Sequence, residues 1–246
     1  MLVGLAANLA LIAVGPRPES LAGSDLLAML AAGVGNVVGL LLAYSALRRG
    51  KVGLVAPIVS TEGAIAAVLA LATGEALGVA AALLLVVVAS GVVLAAVAPE
   101  ALPASSAHKS VTVGLATLAA LSFGVSLFAT GRLGASLPVG WALLPPRIVG
   151  VVAVAIPLAL TRRLRLTHRA LPLVVTAGLA EVLGFACFVA GARHGIAVAA
   201  VLASLFAAVA SVAAYILFRE RLTRLQLGGV ALIVVGVAAL AAIGAS

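Results

Sequence analysis

Nine apolar segments, most of them about as long as a bilayer is thick, follow one another along almost the whole chain. They cover residues 3–15, 25–47, 52–73, 77–98, 110–131, 138–160, 171–192, 196–217 and 225–244. About 20 helical residues cross a hydrocarbon core of roughly 30 Å. Backbone groups in lipid must be hydrogen-bonded within the protein, and the alternation typical of membrane β-barrel strands is absent. The pattern predicts an all-α polytopic membrane protein with nine spans.

The charge content excludes a soluble globule. Of the 246 residues, 65% are hydrophobic and 9% are charged, whereas a soluble domain carries about 25% charged residues. The net charge of +8 lies almost entirely in short loops, where it sets membrane orientation, so nucleic-acid binding is not expected. Cys187 is the single cysteine, and the sequence has no nucleotide loop, metal motif or nucleophile–base pair. We therefore predict no cofactor, no metal and no enzymatic activity.

The second half of the chain repeats the first at an offset of 145 residues. The offset pairs Gly33 with Gly178, Gly39 with Gly184, Gly50 with Gly195, Gly91 with Gly236, Arg48 with Arg193 and Glu75 with Glu220. Matched segments lie five apart, and an odd shift predicts halves that enter the membrane from opposite sides, as in many secondary transporters. We predict an inverted repeat of five-helix units at 1–98 and 110–246, joined by a short linker at 99–109.

This repeat leaves the fifth segment without a partner. A near match of Val3-Gly4 with Val149-Gly150 sets Met1 opposite Arg147. The repeat thus predicts that the first helix of repeat one is missing and that the unit at 1–98 is N-terminally incomplete. A genuine nine-span protein is the alternative.

Several stretches resemble EamA-type members of the drug/metabolite transporter superfamily. They are Gly50-Lys51-Val52-Gly53-Leu54-Val55-Ala56-Pro57-Ile58, Thr73-Gly74-Glu75, Phe218-Arg219-Glu220-Arg221-Leu222 and the Gly-rich Leu227-Gly228-Gly229-Val230-Ala231-Leu232-Ile233. Pro146-Arg147 is similar to an arginine that the family carries on the second helix of a repeat, whereas Arg219 stands where glycine is usual. The resemblance implies ten helices in two five-helix repeats and the transport of a small metabolite or drug.

Four polar residues lie deep within predicted spans, where a charge costs about 3 kcal/mol on insertion scales. They are Asn36, Glu62, Arg147 and Glu181, and Asn36 and Glu181 occupy matched repeat positions. Because transporter sites lie near the midplane between repeats, we predict that all four face one cavity and bind substrate or protons. Arg147 would hold a carboxylate, and a glutamate would take up a proton because desolvation disfavours its charged form. The alternative is a structural Arg147–Glu181 pair that only fixes helix packing.

Prolines interrupt two of the predicted spans. Pro57 lies early in the third segment, and Pro145 and Pro146 lie in the sixth. Each removes a backbone donor, so we predict helix bending at these positions. The freed carbonyls would lie beside Arg147 and near Glu62.

Two signals for membrane orientation disagree. Loops after even-numbered segments hold eleven Lys or Arg residues, and loops after odd-numbered segments hold three. The positive-inside rule places the first set in the cytoplasm and the carboxy terminus outside. The family resemblance implies that both termini are cytoplasmic.

These features predict a carrier of the plasma (inner) membrane that exports a small organic metabolite or drug in exchange for protons by alternating access. Its partners would be the small-molecule substrate, protons and the lipid bilayer, and a homodimer is compatible with it. The alternative function is a non-transporting membrane subunit, truncated or regulatory, which the missing helix favours.

Overall fold

The protein is a helical bundle in the computed structural model, which describes residues 1–18, 20–50, 52–96, 106–161, 170–205 and 224–244. Its helices are α1 (Leu2–Val14), α2 (Gly23–Leu47), α3 (Val52–Val59), α4 (Glu62–Ala72), α5 (Val79–Ala96), α6 (Ser106–Ser136), α7 (Val139–Ala142), α8 (Leu144–Gly150), α9 (Ile156–Leu160), α10 (Leu171–Ala192), α11 (Ile196–Ala203) and α12 (Arg224–Gly244). A π-helical turn, Val151–Ala155, separates α8 from α9. The described residues contain no β-strand, and each of the nine predicted segments contains helix. The all-helical fold class is confirmed.

Four stretches in the described part of the chain are long and apolar enough to cross a membrane. They are Gly23–Leu47, Ser110–Ser136, Val139–Leu160 and Leu171–Ala192. Shorter apolar helices, which include Leu2–Val14 and Glu62–Ala72, pack beside them. Many large aliphatic side chains point outward, such as Leu27 and Leu183. An apolar outer surface of this kind suits a lipid environment.

Helices α2 and α6 are antiparallel neighbours, and they define the two ends of the bundle. At one end, a Cβ on Gly50 would touch the side chain of Thr112. At the other end, Ser136 Oγ donates a hydrogen bond to Asp25 Oδ1 at 3.0 Å. We call these the Gly50 end and the Asp25 end.

Small residues allow the helices to approach closely. A Cβ on Gly35 would lie 2.8 Å from the backbone oxygen of Ser122, and one on Gly63 would lie 2.4 Å from that of Ala200. Only glycine permits contacts this short. Small residues let helices pack closely in lipid, where the hydrophobic effect does not hold them together. Gly184 and Gly228 differ, because a Cβ at either position would meet no atom of the described residues within 4 Å.

The third segment is two helices and not the single one expected from its apolar run. Helix α3 ends at Val59 and α4 begins at Glu62. In the turn between them, Ser60 Oγ donates to Ala56 O and Thr61 Oγ1 donates to Ile58 O, both at 2.7 Å. Hydroxyl groups that bond the preceding turn compete with helical hydrogen bonds and bend the chain.

The fifth segment is longer than predicted. The predicted segment ends at residue 131, but α6 continues to Ser136. Leu133 is fully buried in the core, and the backbone of Gly134 lies against Val189, so packing holds these residues in the helix. Pro138 then precedes the short helix α7. At the other end, α6 begins at Ser106 and therefore includes part of the predicted linker 99–109.

Candidate functional site

Arg147 is the most deeply buried charged residue among those described, with 1% of its surface exposed. It lies on α8, and its Nη1 donates to Glu181 Oε1 on α10 at 2.5 Å. The guanidinium carbon lies 5.5 Å from the ring centre of Phe185, one turn beyond Glu181 on the same helix. A buried charge is tolerated when it is paired, so α10 supplies both the countercharge and an aromatic face.

Helix α1 covers the guanidinium from the other side. A Cβ on Gly4 would lie 3.3 Å from Arg147 Nε, so only a residue without a side chain fits well here. Among the described residues, Arg147 Nε has no hydrogen-bond partner. The Arg147–Glu181 pair that the sequence leaves open as a structural alternative is therefore formed, and the guanidinium is enclosed by α1, α8 and α10.

A cavity of about 490 Å³ lies beside this pair. It is lined by residues from α1, α2, α3, α4, α6 and α10 or adjoining them: Met1, Asn36, Leu40, Tyr44, Val59, Glu62, Phe123, Ser126, Leu127, Glu181 and Phe185. Its volume falls within the roughly 300–1,000 Å³ of small-molecule sites. Three of the four predicted polar residues, Asn36, Glu62 and Glu181, line this one cavity. Arg147 lies behind Glu181 and is not part of the lining.

The polar groups at the cavity wall differ in how they are paired. Glu181 shares one oxygen with Arg147, and its side chain is 36% exposed. Within the described residues, neither the Glu62 carboxylate nor the Asn36 amide makes a hydrogen bond or ion pair. The hydroxyl group of Ser126 already donates a hydrogen bond within the protein, from its Oγ to Ala32 O at 2.7 Å. Glu62 and Asn36 are therefore free to bind a solute.

Local structure explains why Glu62 reaches the cavity. The break after Val59 starts a new helix at Glu62, so the carboxylate sits on the first turn of α4, where a helix favours negative charge. Pro57 lies in α3, about one turn before this break, and its side chain is outside the described part. Pro145 and Pro146 occupy the first turn of α8 and are buried. That position accepts proline because its backbone donors have no helical partner.

Sequence reasoning missed the aromatic part of the wall. Tyr44, which lies near the end of a predicted span, lines the cavity with Phe123 and Phe185. The sequence does contain a signal for Tyr44, because Asn36, Leu40 and Tyr44 are spaced at i, i+4 and i+8 and therefore lie on one face of α2. Phe123 and Phe185 stand in apolar runs where nothing distinguishes them from core residues.

Two charge-assisted contacts tie the Asp25 end of the bundle. Glu75 accepts from the backbone N–H groups of Ile196 and Ala197, at 3.0 and 3.1 Å, and so caps the start of α11. Arg193 Nε donates to Gly134 O at 3.0 Å, at the end of α6. The turn between α10 and α11 contains Gly195 at a φ of +157°, within the range that favours glycine. The polar lining of the central cavity does not take part in these contacts.

Fold and site together define a multi-pass helical membrane protein with a cavity whose apolar wall contains a few polar residues. The sequence profile of the EamA-like transporter family matches residues 111–242. The chain belongs to this family, which is part of the drug/metabolite transporter superfamily. The family members are membrane transporters rather than enzymes.

Solved structures share this fold. Fifteen chains of solved structures match. One of them, described only as the crystal structure of a protein, is 19% identical with a TM-score of 0.73, and the match covers 97% of this chain and 81% of that one. At this identity the likeness concerns the fold alone. No curated protein sequence matches the chain.

Proposed function

We propose that the protein is a secondary-active carrier of the plasma (inner) membrane that exports a small organic metabolite or drug in exchange for protons. The observation that carries this proposal is the cavity that Asn36, Glu62 and Glu181 line within the bundle. A carboxylate without a protein partner can bind a proton or a solute, but not both at once, and this is the basis of exchange. The carrier would need a solute, protons and lipid, and a homodimer is compatible with it.

An inverted repeat would explain where the cavity lies. Asn36 and Glu181 are the two residues that the offset of 145 pairs, and both line the cavity. Transporters with inverted repeats bind substrate at the interface of their halves, near the bilayer midplane. This coincidence supports two related units at 1–98 and 110–246, with 99–109 between them.

Alternating access would follow from the difference between the two ends. The lining residues Asn36, Leu40 and Tyr44 lie successively nearer the Gly50 end along α2. The Asp25 end is tied by Glu75 and Arg193. In the proposed cycle, the opposite state breaks these contacts and connects the cavity to the Asp25 end. Such a rearrangement would be a rocking of one half against the other.

The test is solute-driven proton movement in proteoliposomes that contain a trapped pH-sensitive dye. Four aromatic solutes of different charge are added: benzyltrimethylammonium, phenylalanine, phenylacetate and benzyl alcohol. We expect at least one of them to drive proton flux with the parent protein and not with Glu62→Gln. Asp25→Asn is the matched control, because it also removes one carboxylate but lies at the Asp25 end, away from the cavity. Asparagine keeps a side-chain oxygen that can accept the hydrogen bond from the backbone N–H of Ala22.

Empty liposomes measure leakage of each solute. If the folded parent protein moves no protons with any of the four solutes, the proposal fails and the non-transporting subunit is favoured.

A further inference from the structure

The side chains that line the cavity carry more negative than positive charge. Two carboxylates, Glu62 and Glu181, line it, and among the described residues no Lys, Arg or His side chain does. The charge of Glu181 is offset by Arg147, which lies behind it and is enclosed. Glu62 has no such partner. The side chains around the cavity therefore retain one uncompensated carboxylate, on α4.

Arg147 is poorly placed to hold a solute anion. Its guanidinium is committed to Glu181 on one side, covered by Gly4 on another and stacked near Phe185. A solute carboxylate would have to displace Glu181, which would leave two carboxylates close together in an apolar bundle. Like charges in such a site repel strongly, so the pair excludes anions from the wall that it forms.

The rest of the wall suits an apolar or aromatic body. Tyr44, Phe123 and Phe185 stand on three different helices around the cavity, with Leu40 and Leu127 between them. Aromatic faces attract cations as well as apolar groups, most strongly where water is scarce. The Asn36 amide adds a hydrogen-bonding group that has no protein partner among the described residues.

We infer that the solute of this cavity is a small organic cation with an aromatic or apolar body, held by Glu62 and the surrounding rings. This inference rests on the proposed carrier function for its physiological meaning, but binding can be measured separately. The exchange balances in charge. A protonated Glu62 is neutral, so arrival of a monocation displaces one proton, and the carboxylate then pairs with the cation.

Binding is measured by titration calorimetry on the purified protein in detergent, with benzyltrimethylammonium as the probe. This ion has a fixed charge, so its own protonation does not change with pH. Glu181, Met1 and Tyr44 carry the other titratable groups at the wall. The parent protein and its variants are therefore titrated at the same alkaline pH, so that any difference between them is due to the substitution. The comparison solutes are phenylacetate, phenylalanine and benzyl alcohol.

We expect the cation to bind at least about tenfold more tightly than the other three solutes, a difference of one decade in affinity. Glu62→Gln should abolish this preference, and Asp25→Asn should retain it. Lowering the pH should weaken binding of the cation to the parent protein, because protons compete for Glu62. That dependence should be weaker in Glu62→Gln, in which only the other titratable groups of the wall remain. Retention of the fold by the variant is checked by its melting temperature without solute.

Tighter binding of phenylacetate or benzyl alcohol than of the cation would overturn the inference. So would equal affinity of the parent and Glu62→Gln for benzyltrimethylammonium. The two proposals can fail separately. Proton flux driven by phenylalanine or phenylacetate, without cation binding, would support the carrier and refute the cationic solute. Cation binding that needs Glu62, without any solute-driven proton flux, would support the cationic site and refute the carrier.

Discussion

Arg147 on α8 and Glu181 on α10 form an ion pair in which an arginine that is 1% exposed meets a carboxylate at the cavity wall. Arg147 lies in the interior of the bundle, and Glu181 lines the cavity. The pair fixes the position of Glu181 and offsets its charge, which leaves Glu62 as the unpaired carboxylate at the cavity wall. The pair is therefore both a packing contact and the feature that sets the charge of the site.

The pair should be strongly coupled. Arg147→Ala should lower the free energy of unfolding by on the order of 3 kcal/mol, because it leaves a carboxylate in an apolar bundle without its partner. Glu181→Ala should cost a comparable amount, since it strands the more deeply buried guanidinium. The double variant should be less unstable than the sum of the two single variants, as expected for residues in direct contact. Denaturation of the purified variants in mixed micelles measures all three, and additive losses would show that the pair contributes little.

Two glycines allow a matched test of packing. Gly63→Ala should destabilise the bundle by about 1–3 kcal/mol, because its Cβ would lie 2.4 Å from the backbone oxygen of Ala200, which cannot rotate away. Gly184→Ala makes the same chemical change at a site that faces open space, so it should be neutral or slightly stabilising. Melting temperatures of the two variants in one detergent are compared. Equal values would mean that the α4–α11 contact is looser than the structure has it.

Glu75 should hold the first turn of α11. Its carboxylate accepts from Ile196 and Ala197, so Glu75→Gln replaces two charge-assisted hydrogen bonds by weaker neutral ones. We expect a loss of about 1 kcal/mol, the usual contribution of a helix cap. Hydrogen exchange followed by mass spectrometry should show faster exchange at the start of α11 and unchanged exchange in α2. Unaltered protection at Ile196 and Ala197 would contradict the capping role.

Two buried asparagines should behave in opposite ways. Asn8 is fully buried on α1, and its Nδ2 donates to Gly140 O at 3.0 Å. Asn8→Ala removes this hydrogen bond and leaves a small void, so it should lower stability by about 1–2 kcal/mol. Asn36→Ala removes an amide with no described protein partner, so stability should hardly change while solute affinity falls. Thermal melting and calorimetric titration, applied to both variants, separate the two effects; the reverse assignment of effects would refute the cavity role of Asn36.

The helical membrane fold follows from the sequence because lipid imposes one simple rule. A backbone without water must satisfy its own hydrogen bonds, so a run of apolar residues about 20 long becomes a helix whatever surrounds it. The bounds of α2 and α10 differ little from the predicted 25–47 and 171–192. The rule fails where local chemistry intervenes. Ser60 and Thr61 break the third segment, and burial of Leu133 extends the fifth.

The sequence distinguishes the polar residues in and beside the cavity, but it leaves open whether Arg147 pairs with Glu181. A polar side chain in a span is costly, so Asn36, Glu62, Arg147 and Glu181 stand out from composition alone. Which of them meet depends on how the helices pack against one another. Packing buries Arg147 behind Glu181, leaves Glu62 and Asn36 unpaired, and brings Tyr44, Phe123 and Phe185 to one wall.

By itself, the sequence determined that this chain is a helical membrane protein with a few charged residues inside it, because the cost of polar groups in lipid depends on residue type and segment length. Only the tertiary structure decided which charges cancel and which face the cavity. That outcome depends on close approaches between helices far apart in sequence, such as Gly4 against Arg147 and Gly63 against Ala200. Contacts of this kind depend on how the shapes of facing side chains fit to within fractions of an ångström, and the hydropathy of a sequence does not predict that fit.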